Sequence, residues 1–302
     1  MSVRFEPVTG RYARLQIDGI PHRVYVEEAG EGVPLLCLHT AGADSRQFRG
    51  VLNDPAVLQQ FRVVTFDLPW HGKSSPPPGW WREPYRLTAD AYMQAVLAVI
   101  DALELDRPLV VGCSIGGRAV LYLAARHSDR IGGVIGLQSG SRVDPYYDIE
   151  WLDRPDVDGG RVCAGVVSGL MGPRVPEGER WETLWHYMQG GPGVFKGDLH
   201  FYRGEDAAND VTQIDTARCP VYLLTGEYDY SCSPADSFDV HRAIAGSHLT
   251  VMEGLGHFPM SEDYGRFRKY LLPSLAAVAA DRLALLEREH GAAPRRQIGD
   301  RQ

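Results

Sequence analysis

The sequence predicts an α/β fold in which a mostly parallel central sheet is flanked by helices. Three observations carry this expectation. Short, continuous apolar runs of strand length recur along the chain, and stretches with helical apolar spacing fall between them. One of the strand-like runs also passes through a glycine-rich turn straight into a helix-like run. Brief apolar runs bounded by turn signals suit strands covered on both faces, as in parallel sheets. Alternation of such strands with helices points to right-handed crossovers.

The elements are expected in the following order. Arg14-Leu15-Gln16-Ile17 and Arg23-Val24-Tyr25-Val26 alternate around the turn Asp18-Gly19, which predicts an antiparallel hairpin. Buried strands are then expected at Leu35 to Leu38, Arg62 to Phe66, Leu109 to Val111, Gly133 to Leu137, Val221 to Leu224 and His248 to Val251. Between them, Ala89 to Leu103 places Tyr92, Ala95, Val96, Val99, Ile100 and Leu103 at helical spacing, and Gly117 to Ala125 reads as a second helix. The rhythm breaks between Gly140 and Thr216, where Tyr146, Tyr147, Trp151, Trp181, Trp185, Tyr187, Phe195, Phe201 and Tyr202 cluster. A largely helical cap inserted after a core strand accounts for that break. About a third of its aromatic residues are expected to face a ligand, the rest packing the cap itself. The expected organisation is a first core part at 1–139, the cap at 140–216, a second core part at 217–284 and a charged, disordered tail at 285–302, with the last helix reaching about Glu289.

Composition narrows the function. The 302 residues are 44% hydrophobic and 23% charged, as in an ordinary globular protein, and their formal charge is −8. A negative balance argues against nucleic acid or an anionic membrane as the main partner and leaves a small molecule, with a homodimer open. The first residues show no apolar leader and no run approaches the roughly 18 apolar residues of a membrane span, so the cytoplasm is the expected location. Five cysteines lack CxxC spacing, so neither a disulfide framework nor a zinc site is expected. Cys37, Cys113 and Cys219 lie in or beside apolar runs and read as buried, inert thiols, whereas Cys163 and Cys232 are left open.

The chemistry concentrates at Gly112-Cys113-Ser114-Ile115-Gly116-Gly117. A strand that turns at once into a helix strains the residue at its apex and needs small neighbours, which Gly112, Gly116 and Gly117 supply. The apex side chain, Ser114, is the candidate nucleophile, and the next N–H, on Ile115, opens the helix as a candidate oxyanion donor. A serine hydroxyl needs a base, itself oriented by an acid. Thr225-Gly226-Glu227-Tyr228-Asp229 follows one strand and Gly254-Leu255-Gly256-His257-Phe258 follows the last. Asp229 is the expected acid, with Glu227 as its rival and helix capping as its alternative role; His257 is the expected base. The chain holds ten histidines, of which His71, His127, His186, His200, His241 and His248 read as structural or surface residues.

With these residues in view, the chain from about Ile20 to Leu275 resembles the α/β-hydrolase superfamily. The resemblance rests on the Gly112 to Gly117 turn, the Gly226 to Asp229 and Gly256 to Pro259 loops, and Phe66-Asp67-Leu68-Pro69-Trp70-His71-Gly72-Lys73-Ser74. It implies hydrolysis through an acyl-enzyme, with neither metal nor organic cofactor. Two departures stand out: Trp70 occupies a position where glycine is usual, and His39-Thr40-Ala41-Gly42 replaces the usual His-Gly start of the first oxyanion loop. By position Ala41 would give the second oxyanion N–H, with the loop geometry in question because of Thr40. Thr40, Trp151, Trp185 and Phe258 are the expected substrate contacts, and Arg46 reads as a surface ion-pair residue ahead of a partner for a substrate carboxylate. The expected function is a serine hydrolase acting on a small to medium apolar ester, lactone or thioester. The alternatives are carbon–carbon bond hydrolysis of a ketone or diketone with the same residues, or a slow-turnover ligand receptor.

Overall fold

The computed structural model describes residues 4–142, 149–154, 156–204 and 207–292. Among them eight strands form one sheet: β1 (Thr9–Ile17), β2 (Ile20–Ala29), β3 (Val33–Leu38), β4 (Phe61–Phe66), β5 (Leu109–Cys113), β6 (Gly133–Leu137), β7 (Val221–Gly226) and β8 (His248–Met252). They lie in the order β1-β2-β4-β3-β5-β6-β7-β8. The pairs β1–β2 and β2–β4 are antiparallel, and the remaining neighbours are parallel. The principal helices are α1 (Ala89–Ala102), α2 (Ile115–Arg126), α3 (Gly159–Ser168), α4 (Glu177–Met188), α5 (Val194–Gly204), α6 (Pro234–Ala243) and α7 (Tyr264–Ala292).

The apolar runs are continuous because both faces of the sheet are covered. Leu36 and Leu38 of β3, Val64 and Phe66 of β4, and Val110 of β5 point to the layer that holds Tyr92, Val96 and Val99 of α1 and Val120 of α2. Their neighbours Leu35, Cys37, Val63, Leu109 and Val111 point the other way, onto Phe267, Leu271, Leu275 and Val278 of α7. Strand alternation sends successive side chains to opposite layers, so two cores consume one apolar run. Helix starts are capped where the backbone needs acceptors: the Thr88 hydroxyl takes the Ala91 N–H, and Ser233 with Asp236 forms a capping box at α6.

Two sequence expectations are corrected. β8 is expected to be buried on both faces, yet it is the edge of the sheet, with His248, Thr250 and Val251 exposed, because among the described residues no strand pairs with its outer flank. The last helix runs past Glu289 to Ala292, so 285–292 is helical and not tail. Leu285 is buried there, Arg282 donates to the Arg107 carbonyl, and Glu289 pairs with Arg107. Residues 293–302 lie outside the described residues.

The break in strand rhythm lies between β6 and β7, where α3, α4, α5 and the short helix Ala208–Val211 stand over the ends of the parallel strands. Ala43, Val167, Met171, Leu184, Tyr187 and Phe258 form a third apolar cluster that joins this segment to the core loops. All five cysteines are free and buried, including Cys163 and Cys232. No helix among the described residues is long and apolar enough to cross a membrane.

Leu36 is fully buried in the central strand β3. Leu36→Ala is expected to lower unfolding free energy by about 2–5 kcal/mol, read from the midpoint of urea denaturation.

Candidate active site

β5 enters α2 through a single residue. Ser114 has φ 60° and ψ −112°, a strained conformation for a residue with a side chain, and its N–H is held by the Leu137 carbonyl of β6 at 3.1 Å. The turn closes only because its flanks lack side chains. A Cβ on Gly112 would run into the Gly116 carbonyl, one on Gly116 would lie 2.7 Å from the Leu38 carbonyl, and one on Gly117 would strike the Leu137 carbonyl. Ser114 is thereby lifted above the sheet, and the Ile115 N–H lies at the start of α2, where no preceding helical turn offers it a carbonyl.

The expected acid and base, Asp229 and His257, arrive on loops at the same ends of the parallel strands. Asp229 Oδ2 lies 2.8 Å from His257 Nδ1, and both residues are buried. Asp229 Oδ1 accepts the Ser231 and Cys232 N–H groups at 2.8 and 3.1 Å, so the carboxylate is aimed and not free to turn. Glu227, the rival acid, instead accepts the Gly254 N–H at 2.9 Å at the surface. The capping role also falls elsewhere, to Ser233. A residue missed in the sequence joins the two loops: buried Gln138, just after β6, donates to the Gly256 carbonyl at 2.7 Å and accepts the Gly226 N–H at 2.9 Å. Its positive φ, 52°, could not be read from residue type.

The first loop after β3 is ordered by side chains. The Thr40 carbonyl accepts from His39 Nδ1 at 2.8 Å and from the Ala43 N–H at 3.3 Å, while His39 Nε2 accepts the Leu68 N–H at 3.1 Å. His39 is therefore a neutral imidazole with its proton on Nδ1, and burial together with nearby His71 lowers its pKa. Thr40 C=O and Ala41 N–H share one planar peptide and point in opposite directions, so holding the carbonyl aims the N–H. The Ala41 N–H has no acceptor among the described residues. Thr40 does not need glycine's freedom, for it is absent from the positive-φ positions. Its N–H donates to Gln47 at 3.0 Å, and its hydroxyl meets Gln47 and the Tyr187 hydroxyl. Trp70, by contrast, keeps a glycine-like φ of 81°, and its ring stacks on Tyr85 at 5.0 Å.

Ser114 and His257 open into one pocket with Thr40, Ala41, Trp151, Leu152, Val166, Val167, Leu170, Tyr187, Phe195, Leu199, Tyr202, Ser231 and Phe258. The lining is apolar with a few hydroxyls, and apart from His257 it carries no ionisable acid or base other than tyrosine. Of the expected contacts, Thr40, Trp151 and Phe258 line it. Trp185 does not: it is 49% exposed and its ring faces the Arg46 guanidinium at 5.4 Å, because α4 turns its inner face to Leu184 and Tyr187 instead. Arg46 is ion-paired with Asp44 at 2.6 Å, as expected of a surface residue. Among the cap aromatics, Trp151, Tyr187, Phe195 and Tyr202 face the pocket, Phe201 packs on Tyr92 and Tyr122, and Trp181 is exposed. Tyr146 and Tyr147 lie outside the described residues.

Tyr202 was not singled out by the sequence, yet its hydroxyl lies 3.2 Å from Ser114 Oγ. Among the described residues that is the hydrogen bond Ser114 Oγ makes; none joins it to His257. Burial drives the Tyr202 pKa well above the ordinary phenol value, so the group remains a neutral phenol. No cluster of three or more His, Cys, Asp or Glu suited to a metal ion occurs among the described residues.

The base loop rests on one more buried acid. Glu262 accepts the Gly256 and Phe258 N–H groups on either side of His257, and the Gly172 N–H from the cap segment at 3.4 Å. Burial raises its pKa to about 7. The folded protein then keeps a proton that the unfolded chain loses near the ordinary glutamate value, so stability falls as pH rises between those two values. Denaturant unfolding from pH 4 to 8 is expected to show that decline, and Glu262→Gln is expected to flatten it.

The sequence profile of the alpha/beta hydrolase fold matches residues 33–156. Over 264 residues the chain is 26% identical to an uncharacterized protein of Mycobacterium tuberculosis, covering 79% of this chain and 74% of that one. It is 25% identical to a pimeloyl-[acyl-carrier protein] methyl ester esterase of Neisseria meningitidis, covering 74% and 85%. Its fold is similar to that of the enol-lactonase from Burkholderia xenovorans LB400, with a TM-score of 0.76 at 20% identity over 88% of this chain and all of the other. A thermophilic esterase from Thermogutta terrifontis gives 0.75 at 19% identity, over 89% and 99%. The eight-stranded sheet, the turn at Ser114 and these similarities together give the chain the α/β-hydrolase fold.

Proposed function

We propose that this enzyme is a serine hydrolase acting on a small to medium, uncharged and largely apolar ester, lactone or thioester. The observation that carries the reading is the buried Asp229–His257 pair, 2.8 Å apart, beside a serine held on a strained turn in the same apolar pocket. Ser114 Oγ leaves its bond to Tyr202, turns toward His257 Nε2 and attacks the substrate carbonyl carbon as its proton passes to that nitrogen. Asp229 keeps the other ring proton on Nδ1 and so offers Nε2 as the base. The oxyanion is received by the Ile115 and Ala41 N–H groups. His257 then returns the proton to the leaving oxygen or sulfur, and water repeats the sequence on the acyl-serine to free the acid.

The lining supports the substrate class. A substrate carboxylate would meet no fixed cation in the pocket, since Arg46 lies outside it and is engaged by Asp44. Relatives named as a methyl ester esterase, an esterase and an enol-lactonase support an acyl-transfer carbonyl.

The test is turnover of p-nitrophenyl esters of increasing chain length, an aryl lactone, a thioester and a diketone, by the enzyme and by Ser114→Ala. The enzyme is expected to prefer one of the first three classes, with Ser114→Ala and His257→Ala each losing at least about a thousandfold in kcat. Covalent labelling by a fluorophosphonate is expected to disappear in Ser114→Ala. Preference for the diketone would assign the reaction to carbon–carbon bond hydrolysis instead.

A further inference from the structure

One helix of the cap reaches the site with a single face. On α5, Phe195, Asp198, Leu199 and Tyr202 follow one another at the i, i+3, i+4, i+7 spacing that puts side chains on one stripe. Phe195, Leu199 and Tyr202 line the pocket. Asp198, between them, is a fully buried acid, and it does not face the pocket.

Its carboxylate is satisfied from three directions. Oδ2 accepts the Gly42 N–H at 2.7 Å and lies 2.7 Å from His71 Nε2, and Oδ1 accepts the Tyr85 hydroxyl at 2.9 Å. The other nitrogen of His71, Nδ1, faces the Pro69 carbonyl at 3.0 Å. Both ring nitrogens thus point at acceptors, which only the imidazolium can satisfy by donating twice. Burial opposes that charge, while Asp198, the Pro69 carbonyl and Asp67 favour it, and the balance raises the His71 pKa. His39, whose ring centroid is 4.9 Å from that of His71, is held neutral by its own hydrogen bonds. Tyr85, Asp67 and Asp198 are the remaining titratable groups facing His71, from the loop before α1, the end of β4 and α5. Asp44, farther along the oxyanion loop, is occupied by Arg46.

Gly42 follows directly on Ala41, whose N–H the proposed function uses as an oxyanion donor. His39 fixes the peptide on one side of Ala41 through the Thr40 carbonyl, and Asp198 fixes the peptide on the other side through the Gly42 N–H. Resting on that proposed function, we infer that Asp198 is a positioning residue for the oxyanion hole, a carboxylate carried by the cap that sets the Ala41 peptide in its working orientation when the cap is seated. The His71 imidazolium acts through Asp198 as its counter-ion. The substrate-binding cap and the transition-state donor are then coupled through one side chain. Replacing that side chain is expected to lower kcat more than it raises KM, since the pocket surface itself is left in place.

The test uses the purified enzyme and its preferred p-nitrophenyl ester, with Ser114→Ala as reference. Asp198→Ala is expected to lose at least about tenfold in kcat with KM within about twofold, and to lose affinity in parallel for a trifluoromethyl ketone that forms a tetrahedral adduct. Asp198→Asn keeps an oxygen for the Gly42 and His71 N–H groups, so it is expected to recover most of kcat near neutrality. It no longer supplies the counter-charge, so the alkaline fall of kcat is expected to begin at lower pH than in the parent enzyme. Unchanged kcat in Asp198→Ala, or a loss confined to KM, would overturn the inference. So would an Asp198→Asn enzyme whose alkaline limb stays in place, a readout that survives even if the alanine variant does not fold. If Ser114→Ala retained activity, the serine-hydrolase reading itself would fail; if only the Asp198 variants behaved like the parent, the failure would lie with the positioning role alone.

Discussion

The site depends on how closely backbone can approach backbone at the ends of β3, β5 and β6. Ser114 is held in its strained conformation because Gly112, Gly116 and Gly117 let α2 pack against the Leu38 and Leu137 carbonyls. A single Cβ at any of the three would push the helix away and relax the turn. Strain of this kind, of order 1–3 kcal/mol, persists only where surrounding packing over-determines it. Here the two apolar layers on either face of the sheet supply that packing. Gly226 meets the same demand on the acid side, where an added Cβ would run into the Gly256 carbonyl.

From that crowding the remaining groups follow as second-order arrangements. Gln138 ties the acid loop to the base loop, Glu262 holds the two peptides flanking His257, and His39 holds the one that carries the Ala41 N–H. These polar side chains are buried and spend their donors and acceptors on backbone. A backbone hydrogen bond fixes direction at both ends, which suits loops that carry chemistry but have no strand partners of their own.

The legibility of the sequence tracks the range of the forces involved. Strand runs, the hairpin at Asp18-Gly19 and the helices α1 and α2 are local patterns, and residue type alone sets them apart. The glycine-rich turn is legible for the same reason, because the need for missing side chains is written as glycine. β8 misled because an edge strand and a central strand can share one apolar pattern, and only the topology decides which flank is covered. Trp185 misled because an aromatic residue in a cap looks the same whether its helix turns it inward or out. Gln138 and Asp198 left no local signal, since each acts on backbone far away in sequence, and Glu262 left none because a nearby acid shows its inward turn onto the His257 loop only once that loop is folded. Tyr202 could have been found only by placing Phe195, Leu199 and Tyr202 on one helical stripe, and that stripe has meaning only once α5 is known to lie over Ser114.

The five cysteines bear on how the molecule can be probed. Each is buried, and burial pushes the thiol pKa up, to about 12 at Cys163 and Cys219, higher at Cys37 and Cys232, and well above the ordinary thiol value at Cys113. A buried thiol with so little thiolate reacts slowly with electrophiles and oxidants. The native protein is therefore chemically quiet on the sulfur side. An activity-based reagent that adds to it reports on oxygen nucleophiles against almost no thiol background, and the sudden appearance of thiol labelling becomes a clock for loss of the native packing.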